Sequence, residues 1–572
     1  MAEPRKTNSL GKLTSLLLIE KKEITYILVY AVMAGIITLA LPLGIQSLIG
    51  FVSSGQVSTS VIVLIFFILV ALVLAGGLQI MQLYLVEHIR QRLYARTAFE
   101  FAARIPSMRL ESVFNRYPAE LSNRFFDVIS LQKGLTKLLT DFPAALLQIL
   151  FGLILLSFYH PYFILFSIFL ISALSLVIWL TGPQGLNTSL TASKHKYKTA
   201  SWLQELAHSL RTFKLAGYSD LPLSKTDYHV ANYLQARKSH FQVLLTQYLS
   251  FVGFKALIIS GLLILGTVLL INQEINLGQF VASEIIMILI MSAVEKILVK
   301  LDTVYDVLTS LEKIEQVREV ELEKKNKLKV EDLPRVEGFS LQVKNLSYQY
   351  PDKRKPVLQG LNLSVAPGEK VGICGENSSG KSTFINLLLG FLHSYEGVIA
   401  YNKVALRDLH RDSLHNYLGN DSQETLFDGT ILENVQMGRA STSLPDVLWA
   451  LEVAGLTEQV QNLPDGLETH LTGGSLWLSD SLTQRLLLAR IIAKKPRLLI
   501  LGDFLRRLDR KEKKRILNQI TGAEFDCTIL FFSNDPDVLH TCDRHLLMKN
   551  GQLEEISLDA IDLENNLTLE TN

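Results

Sequence analysis

Six long apolar segments constrain the fold of this 572-residue chain more than any other feature. The hydrocarbon core of a bilayer is about 30 Å thick and needs roughly 20 apolar residues in a helix. The six segments are residues 24–49, 61–86, 142–158, 162–181, 251–271 and 280–301. The sequence therefore predicts a six-helix transmembrane domain, with a tolerable kink at Pro42 inside the first helix.

The connections between the apolar segments alternate in length and charge. Residues 51–60, 159–161 and 272–279 contain no Lys or Arg, whereas residues 88–141 contain nine and residues 182–250 contain eight. Because Lys and Arg concentrate in cytoplasmic loops, we expect the long connections and both chain termini on the cytoplasmic side.

Both long connections carry apolar residues at helical spacing, so we expect the membrane helices to continue into the cytoplasm as amphipathic rods. The rods should turn within residues 106–118 and 209–220. Aromatic side chains in these turns could dock on a soluble domain or pack between the rods: Phe114, Tyr117, Phe213 and Tyr218. Glu284 and Glu295 in the sixth segment are transport-pathway candidates, although solvation near the membrane surface is the more ordinary explanation.

The C-terminal half has the mixed composition of a soluble domain. A net charge of +1 over the whole chain indicates no nucleic-acid partner. Cys374, Cys527 and Cys542 lie far apart without Cys or His companions, which indicates neither a zinc site nor a disulfide framework. The first twenty residues contain no cleavable signal pattern.

Residues 375–383 read Gly-Glu-Asn-Ser-Ser-Gly-Lys-Ser-Thr and fit the phosphate-loop pattern G-x-x-x-x-G-K-[ST] between a strand-like and a helix-like segment. In such a loop, backbone N–H groups surround a polyphosphate, Lys381 reaches the β and γ phosphates, and Ser382 reaches a metal ion. A Gly- and Ser-rich turn is the alternative, and the flanking elements argue against it. The predicted binding residues are Gly375, Glu376, Asn377, Ser378, Ser379, Gly380, Lys381, Ser382 and Thr383.

The motifs that follow the phosphate loop carry a family resemblance. Residues 426–434 read Leu-Phe-Asp-Gly-Thr-Ile-Leu-Glu-Asn, residues 463–469 read Leu-Pro-Asp-Gly-Leu-Glu-Thr, and residues 484–490 read Gln-Arg-Leu-Leu-Leu-Ala-Arg. With six apolar segments ahead of them, the chain resembles exporter-type half-transporters of the ABC superfamily. Among these it is most similar to bacterial peptide, bacteriocin and type I secretion exporters that lack a peptidase domain.

The resemblance implies a multidomain membrane protein, in which an all-α six-helix transmembrane domain with long cytoplasmic extensions precedes an α/β nucleotide-binding domain with a phosphate loop. The expected divisions are a cytoplasmic segment 1–23, the transmembrane domain 24–310, a helical linker 311–335, the nucleotide-binding domain 336–556 and a tail 557–572. It also implies ATP and Mg²⁺ as cofactors, and a homodimer or heterodimer with another half-transporter in the bacterial inner membrane. Periplasmic secretion partners stay open.

Individual roles follow from the same resemblance. Tyr350 stands where an aromatic ring stacks on adenine. Gln423 is the nearest candidate for the glutamine that senses metal and attacking water, although it lies one residue too close to Leu426. The signature segment that faces the partner chain's nucleotide departs from Leu-Ser-Gly-Gly-Gln, and consists of Leu478, Ser479, Asp480, Ser481 and Leu482. Asp480 brings a carboxylate towards an anion, so we expect repulsion to weaken closure.

The catalytic positions depart as well. Gly502 stands in place of the metal-supporting Asp, and Asp503 in place of the longer catalytic Glu; a shift by one residue would instead make Asp503 the metal carboxylate. Asn534 replaces the phosphate-sensing His, and an amide cannot become cationic. His540 and His545 are expected to be ordinary surface residues. The loop itself has Ser378 where the family commonly has Gly, which would be strained at positive φ.

These departures predict weakened Mg²⁺ binding and slow hydrolysis, because phosphoryl transfer depends on positioning and electrostatics. Three functions follow. The first is a half-transporter that binds ATP, hydrolyses little, and exports a peptide, protein or other hydrophobic substrate or supports a partner that does. The second is a structural or regulatory pseudo-transporter without hydrolysis. An active homodimeric exporter ranks last.

Overall fold

The computed structural model describes residues 11, 13–14, 18–53, 59–114, 118–324, 326, 328–332, 338–351, 353–421, 425–472, 478–502, 508–522 and 525–557. The chain divides into two compact units. The first comprises Met1–Met108 and Asn115–Val320, and the second comprises Arg109–Phe114 and Glu321–Asn572. The short segment Arg109–Phe114 therefore belongs with the C-terminal unit although the chain places it between two long helices of the first.

The N-terminal part of the chain is helical throughout its described residues. Its helices are α1 Lys21–Thr38, α2 Ala40–Ser53, α3 Thr59–Arg104, α4 Leu110–Val113 in the second unit, α5 Pro118–Asn123, α6 Asp127–Ser157, α7 Tyr162–His208, α8 Leu210–Leu215, α9 Leu221–Ile271, α10 Leu277–Val299 and α11 Leu301–Arg318. Six helical stretches of the described residues are long and apolar enough to cross a membrane, as predicted. The protein is a multi-pass integral membrane protein.

Three helices extend far beyond their apolar segments. α3, α7 and α9 contain 46, 47 and 51 residues. At 1.5 Å per residue each is about 70 Å long, more than twice the roughly 30 Å of a bilayer core. The predicted continuation of the membrane helices as rods is confirmed, and the predicted turns coincide with a 3₁₀ turn at Ile105–Ser107 and with α8.

The first apolar segment is broken where its proline requires it. α1 ends at Thr38 and α2 begins at Ala40. Pro42 has no N–H to donate to the carbonyl four residues earlier, which is that of Thr38. The kink is therefore a division into two helices.

The predicted helical linker over residues 311–335 is helical only in its first part. α11 ends at Arg318, and one 3₁₀ turn follows at Val330–Asp332. The Arg318 carbonyl accepts a hydrogen bond from the Arg104 guanidinium, and the Arg318 side chain pairs with Glu100 at 2.6 Å. The bond from Arg104 thus satisfies a carbonyl at the end of α11 that has no partner within the helix.

Helices of the first unit approach closely at glycines and carry polar groups between them. A Cβ on Gly152 would lie 2.8 Å from Ile290, so α6 and α10 need a small residue there.

His240 is fully buried and lies 2.9 Å from both Thr188 Oγ1 and Asp302 Oδ1. Of the two acidic residues in the sixth segment, Glu295 accepts a hydrogen bond from Lys255 at 3.0 Å. Buried Oε1 of Glu284 has no hydrogen-bond partner in the described ranges.

The second unit contains two principal sheets. The antiparallel sheet has the order β2-β1-β4-β5, with β1 Leu341–Tyr348, β2 Leu358–Val365, β4 Glu396–Tyr401 and β5 Val404–Ala405. The other sheet has the order β12-β11-β3-β10-β9-β6, with β3 Lys370–Cys374, β6 Leu418–Asn420, β9 Leu498–Leu501, β10 Thr528–Phe531, β11 Arg544–Lys549 and β12 Gln552–Glu555. A small pair joins β7 Gly429–Thr430 to β8 His470–Leu471.

Helices cover these sheets, which confirms the predicted α/β class. They are α12 Lys381–Leu388, α13 Arg411–Tyr417, α14 Ile431–Gln436, α15 Leu444–Val453, α16 Thr457–Gln461, α17 Asp480–Ala493, α18 Arg510–Ile520 and α19 Pro536–Leu539. Strands β9 and β10 are fully buried. Because β11, β3, β10, β9 and β6 are parallel, the residues after their carboxyl ends share one edge of the sheet, where ligands bind in such folds.

Candidate nucleotide-binding site

Two glycines shape the loop between β3 and α12. Gly375 has φ +150° and Gly380 has φ +110°. A Cβ on Gly375 would clash with the backbone carbonyl oxygen of Met548, and one on Gly380 would lie 2.8 Å from Leu358 Cδ2. The loop therefore requires glycine at both positions, and its backbone leaves a cradle that a side chain would fill.

Ser378 adopts the left-handed conformation, with φ +66°. This is the strained alternative of the two that the sequence left open. For a residue with a Cβ this conformation costs roughly 1–2 kcal/mol. The loop holds it nonetheless, because Ser378 lies between two positions whose geometry is fixed by glycine.

Lys381 reaches back over the loop. Its ammonium group donates to the carbonyl oxygens of Gly375 and, at 2.9 Å, of Glu376. Hydrogen bonds between two charged groups are stronger than those to neutral carbonyls. A phosphate in the cradle would therefore compete successfully for this cation.

Asn534, after β10, binds the loop at two points. Its Oδ1 accepts from Gly375 N at 2.9 Å and its Nδ2 donates to Gly375 O at 3.1 Å. The side chain thus links the ends of two adjacent strands, β3 and β10. Both polar atoms of the amide are therefore engaged by the backbone of the phosphate loop.

The two other histidines considered near this position differ from each other. His540 is exposed, as predicted. The prediction that His545 is a surface residue is wrong, because its side chain is 8% exposed and its Nε2 lies 2.9 Å from the Leu539 carbonyl oxygen. It forms part of β11, whose neighbours cover it.

Tyr350 lies beside the start of α12. Its hydroxyl is 3.3 Å from Thr383 Oγ1, and its ring packs edge-on against Tyr348 with centroids 5.0 Å apart. The ring also contacts Phe114, with centroids 6.1 Å apart. Of the two alternatives for Phe114, docking on the soluble domain and packing between the rods, this contact supports the first. Phe213 instead packs against Trp202, Tyr218 is exposed, and Tyr117 lies outside the described residues.

Glu111 fastens the Arg109–Phe114 segment within the second unit. Its Oε1 accepts from the backbone N–H groups of His393 at 2.7 Å and Ser394 at 3.2 Å. Burial acts to raise the pKa of Glu111, but these hydrogen bonds and the Arg109 guanidinium outweigh it and hold the pKa below its ordinary value. The docking contact is therefore strongest above the ordinary carboxyl pKa and weakens as acid protonates Glu111.

The residue directly after β9 is Gly502, which has no side chain; Asp503, the metal carboxylate of the shifted alignment, lies outside the described residues. Gly502 N donates to Asp421 Oδ1 at 2.7 Å. Asp421 follows β6, which pairs in parallel with β9 through Asn420 and Ile500. A carboxylate therefore stands at this position of the sheet edge, but it comes from the neighbouring strand.

The sequence reasoning missed Asp421. The available signal was an acidic residue directly after a buried strand, at the edge where parallel strands end. The two residues that the resemblance put forward instead, Gln423 and Asp503, lie outside the described residues.

The signature segment begins α17. Ser479 is the N-cap, and its Oγ accepts from Leu482 N at 3.1 Å. Asp480 is the first helical residue and is exposed. A carboxylate in the first turn of a helix is favoured by the helix dipole, so Asp480 stabilises the same N–H groups that an anion would otherwise contact.

Comparisons with known proteins agree with this geometry. Residues 24–294 match the family model "ABC transporter transmembrane region", and residues 358–504 match the model "ABC transporter". The chain belongs to the ABC transporter family. One chain carries one transmembrane region and one ATP-binding region, the arrangement of an ABC exporter half-transporter, and the family implies ATP as the nucleotide.

The relatives and solved structures that the chain resembles include exporters. It is 24% identical over 567 residues to "Lactococcin transport/processing ATP-binding protein LcnC-like" of Lactococcus lactis, covering 96% of this chain and 76% of that protein. It is 29% identical over 294 residues to "Uncharacterized ABC transporter ATP-binding protein YwjA" of Bacillus subtilis, covering 51% of each. The chain spans about half or less of the first two curated relatives that it matches.

The solved "Structure of a bacterial Atm1-family ABC exporter with ATP bound" superposes with a TM-score of 0.83 at 19% identity, covering 96% of this chain and 98% of that one. This likeness shows the ABC exporter fold. These matches confirm the predicted family and the predicted fold class.

The residues present fit ATP and, less fully, Mg²⁺. The glycine cradle, Lys381 and the Tyr350 ring suit the phosphates and the base. Ser382 at the start of α12 and the Asp421 carboxylate are oxygen ligands of the kind that Mg²⁺ prefers. No group of three or more His, Cys, Asp or Glu among the described residues could hold a metal alone, so the nucleotide phosphates would supply much of its coordination.

Proposed function

We propose that this ABC half-transporter binds Mg·ATP in the cytoplasm, hydrolyses it slowly or not at all, and works as a dimer in peptide export. The observation that carries this proposal is the contrast at one sheet edge. The phosphate-holding parts after β3 are in place, whereas Gly502 after β9 offers no carboxylate and Asn534 after β10 is bound to Gly375.

The physical reason for slow hydrolysis is the loss of positioned groups. General acid–base catalysis typically contributes 10²- to 10⁴-fold, or about 3–5 kcal/mol of barrier. Asn534 cannot become cationic, and its amide is already engaged. Asp421 could support the metal from β6, but nothing in the described ranges replaces the lost histidine.

The proposed dimer rests on an exposed surface as well as on the family. Leu215, the last residue of α8, is 89% exposed, and Tyr218, which follows α8, is 95% exposed. Large apolar side chains clustered on a surface commonly mark an interaction site. A second half-transporter, either another copy of this chain or a related one, would cover them. We place the complex in the bacterial inner membrane with both termini in the cytoplasm.

The substrate class is proposed from one relative. The printed name of the Lactococcus lactis relative concerns lactococcin transport and processing, and its similarity covers 96% of this chain. A peptide or protein is therefore the cargo that we propose.

A second candidate is a non-hydrolysing structural or regulatory pseudo-transporter. Asp480 and the capping role of Ser479 favour it. In a head-to-tail dimer the signature segment serves the partner's nucleotide, so these residues would weaken hydrolysis there too.

The test is nucleotide binding and phosphate release by the full-length protein in lipid nanodiscs with Mg²⁺. We expect saturable ATP binding that Lys381→Ala abolishes, and turnover at least about 100-fold below the typical 10 s⁻¹. The exposed Lys344→Ala serves as the matched control and should bind normally. Turnover near 10 s⁻¹ that disappears in Lys381→Ala would overturn the proposal, and ATP binding without turnover by any dimer would favour the pseudo-transporter.

A further inference from the structure

The second unit contains a cavity of about 280 Å³ that shares no residue with the phosphate loop. It lies among the start of the Arg109–Phe114 segment, the residues after α11, the loop before β4 and the start of α13. Its polar lining is mainly basic, and includes Arg109, Lys324, His393, Tyr395, Arg407 and Arg411, with Glu321 as its acidic member.

Arg411 is the most constrained of these cations. Arg411 is 6% exposed, and its Nη1 is buried without a hydrogen-bond partner in the part of the chain that the structure describes. The guanidinium packs against Gly390, where any Cβ would clash with it. Burial lowers the pKa of Arg411 from its ordinary value, yet arginine stays protonated in proteins. A buried charge of this kind is costly unless it is paired.

The nearby carboxylates are already paired with other groups. Glu321 lies 3.2 Å from Arg109, which also binds Glu111, and Glu323 lies 3.0 Å from His393. The described residues provide no carboxylate within 4.0 Å of the side-chain nitrogens of three lining cations, Lys324, Arg407 and Arg411. Glu323 attracts the Arg411 charge from a longer distance, so the carboxylates offset part of the positive charge and leave these three cations without a direct acidic partner among the residues that the structure describes.

Most of the unsatisfied polar atoms around the cavity are donors. Besides Arg411 Nη1, the Arg109 Nε and the Tyr395 hydroxyl are buried without hydrogen-bond partners among the described residues, and so is His393 Nδ1, whose other ring nitrogen lies 3.0 Å from Glu323. Burial raises the pKa of Tyr395, so its hydroxyl keeps its proton. Arg407 stacks on the Tyr395 ring, with its guanidinium carbon 4.4 Å from the ring centroid. That contact holds Arg407 at the cavity.

We propose that this cavity binds a phosphate-type oxyanion, separate from the ATP site. Arginine presents N–H groups in a planar fork that matches phosphate oxygens. The volume is near the lower limit of ligand pockets, about 300 Å³, which suits a phosphate or pyrophosphate group better than a nucleotide. The bound oxyanion neutralises Arg411 and accepts the hydrogen bonds that Arg109 and Tyr395 leave unmade.

The test measures pyrophosphate binding by calorimetry at constant ionic strength. The full-length protein carries Lys381→Ala, so that the phosphate loop does not contribute. We expect one saturable site per chain, and at least about tenfold weaker binding in Arg407→Gln, since each charge-assisted hydrogen bond is worth that much. Lys344→Gln, an exposed lysine on β1, is the matched control and should bind like its parent.

Arg411→Gln is a second variant, and its thermal unfolding midpoint is recorded because a buried arginine also affects folding. Arg407 and Lys324 are exposed, so Arg407→Gln and Lys324→Gln keep the proposal testable if Arg411→Gln fails to fold. Absence of saturable binding in the Lys381→Ala protein would overturn the proposal. Equal affinity in Arg407→Gln, Lys324→Gln and the control would overturn it too.

The phosphate group could belong to a soluble anion or to a lipid headgroup. Soluble short-chain phosphatidylglycerol is therefore titrated against bound pyrophosphate, with short-chain phosphatidylcholine as the neutral-headgroup comparator. Displacement by phosphatidylglycerol alone supports the site and assigns it to anionic headgroups. Pyrophosphate binding without displacement supports it and assigns it to a free anion.

Discussion

The ends of β3 and β9 lie at the same sheet edge and have opposite characters. After β3, the chain has the glycines that a phosphate cradle requires, a lysine at the helix start, and an asparagine that ties the loop to β10. After β9, Gly502 has no side chain, and its N–H donates to the carboxylate of Asp421, the residue after β6. Phosphate binding depends on the loop backbone and Lys381, whereas phosphoryl transfer also needs side chains positioned after the neighbouring strands. The two properties can therefore be separated within one site.

The largest effect should come from breaking the β3 end. Gly375→Ala adds a Cβ that clashes with the backbone oxygen of Met548, at a φ of +150°. Because a strand carbonyl cannot move aside cheaply, we expect about 3 kcal/mol of destabilisation and loss of ATP binding. The thermal unfolding midpoint and ATP titration of the full-length protein measure both.

Gly360→Ala is the matched control for that variant. Gly360 also has positive φ, +61°, but a Cβ there would meet nothing within 4 Å. Only the left-handed conformation is penalised, by roughly 1–2 kcal/mol, and ATP binding should survive. Equal losses in both variants would show that the close approach to Met548 does not matter.

Asp421→Asn tests whether the carboxylate next to the end of β9 supports Mg²⁺. We expect an intermediate effect on the Mg²⁺ dependence of ATP binding. The amide oxygen can still accept from Gly502 N, so the fold should persist while the charge is lost. We expect the Mg²⁺ concentration for half-maximal enhancement of ATP binding to rise about tenfold, the lower end of effects seen for residues that support a metal. ATP affinity in EDTA should be unchanged.

Asp428→Asn provides the comparison for this charge removal. Asp428 is exposed and its Oδ1 lies 3.5 Å from His470 Nδ1, so it is an acidic residue of the same unit in an ordinary surface contact. Its Mg²⁺ dependence should match that of the parent. If Asp421→Asn matches the parent as well, Asp421 only supports the backbone of Gly502.

Local features of both regions were predictable from the sequence, and long-range ones were not. The strands β3 and β9, the loop 375–383 and the long helical rods follow from periodicity and glycine placement. The Asn534 bridge to Gly375 spans 159 residues, and the Asp421 bond to Gly502 spans 81. No local pattern encodes such pairs, because they depend on the order of strands in the sheet.

The same limit explains the two expectations that failed. The charged composition of the linker predicts a helix over its whole length, but α11 ends at Arg318, whose carbonyl oxygen accepts from Arg104 and whose side chain pairs with Glu100, both more than 200 residues away. His545 looked like a surface residue because its burial comes from neighbouring elements that the sequence does not place beside it. Tertiary contacts override local preference in both cases.

The smallest effect should come from Ser378→Gly, which relieves backbone strain in the phosphate loop after β3. Relief of the left-handed conformation gains roughly 1–2 kcal/mol, and the greater freedom of glycine in the unfolded chain costs about 0.4–1 kcal/mol. The net result is about 0.5 kcal/mol of added stability, a small rise in the unfolding midpoint, with ATP affinity within about twofold of the parent.

Asn377→Gly is the control in the same loop, since Asn377 is exposed and is not among the residues with positive φ. It should be destabilised by up to about 1 kcal/mol, so the two neighbouring substitutions should have opposite signs. A loss of stability in Ser378→Gly would mean that the serine makes a contribution in the loop that outweighs its backbone strain.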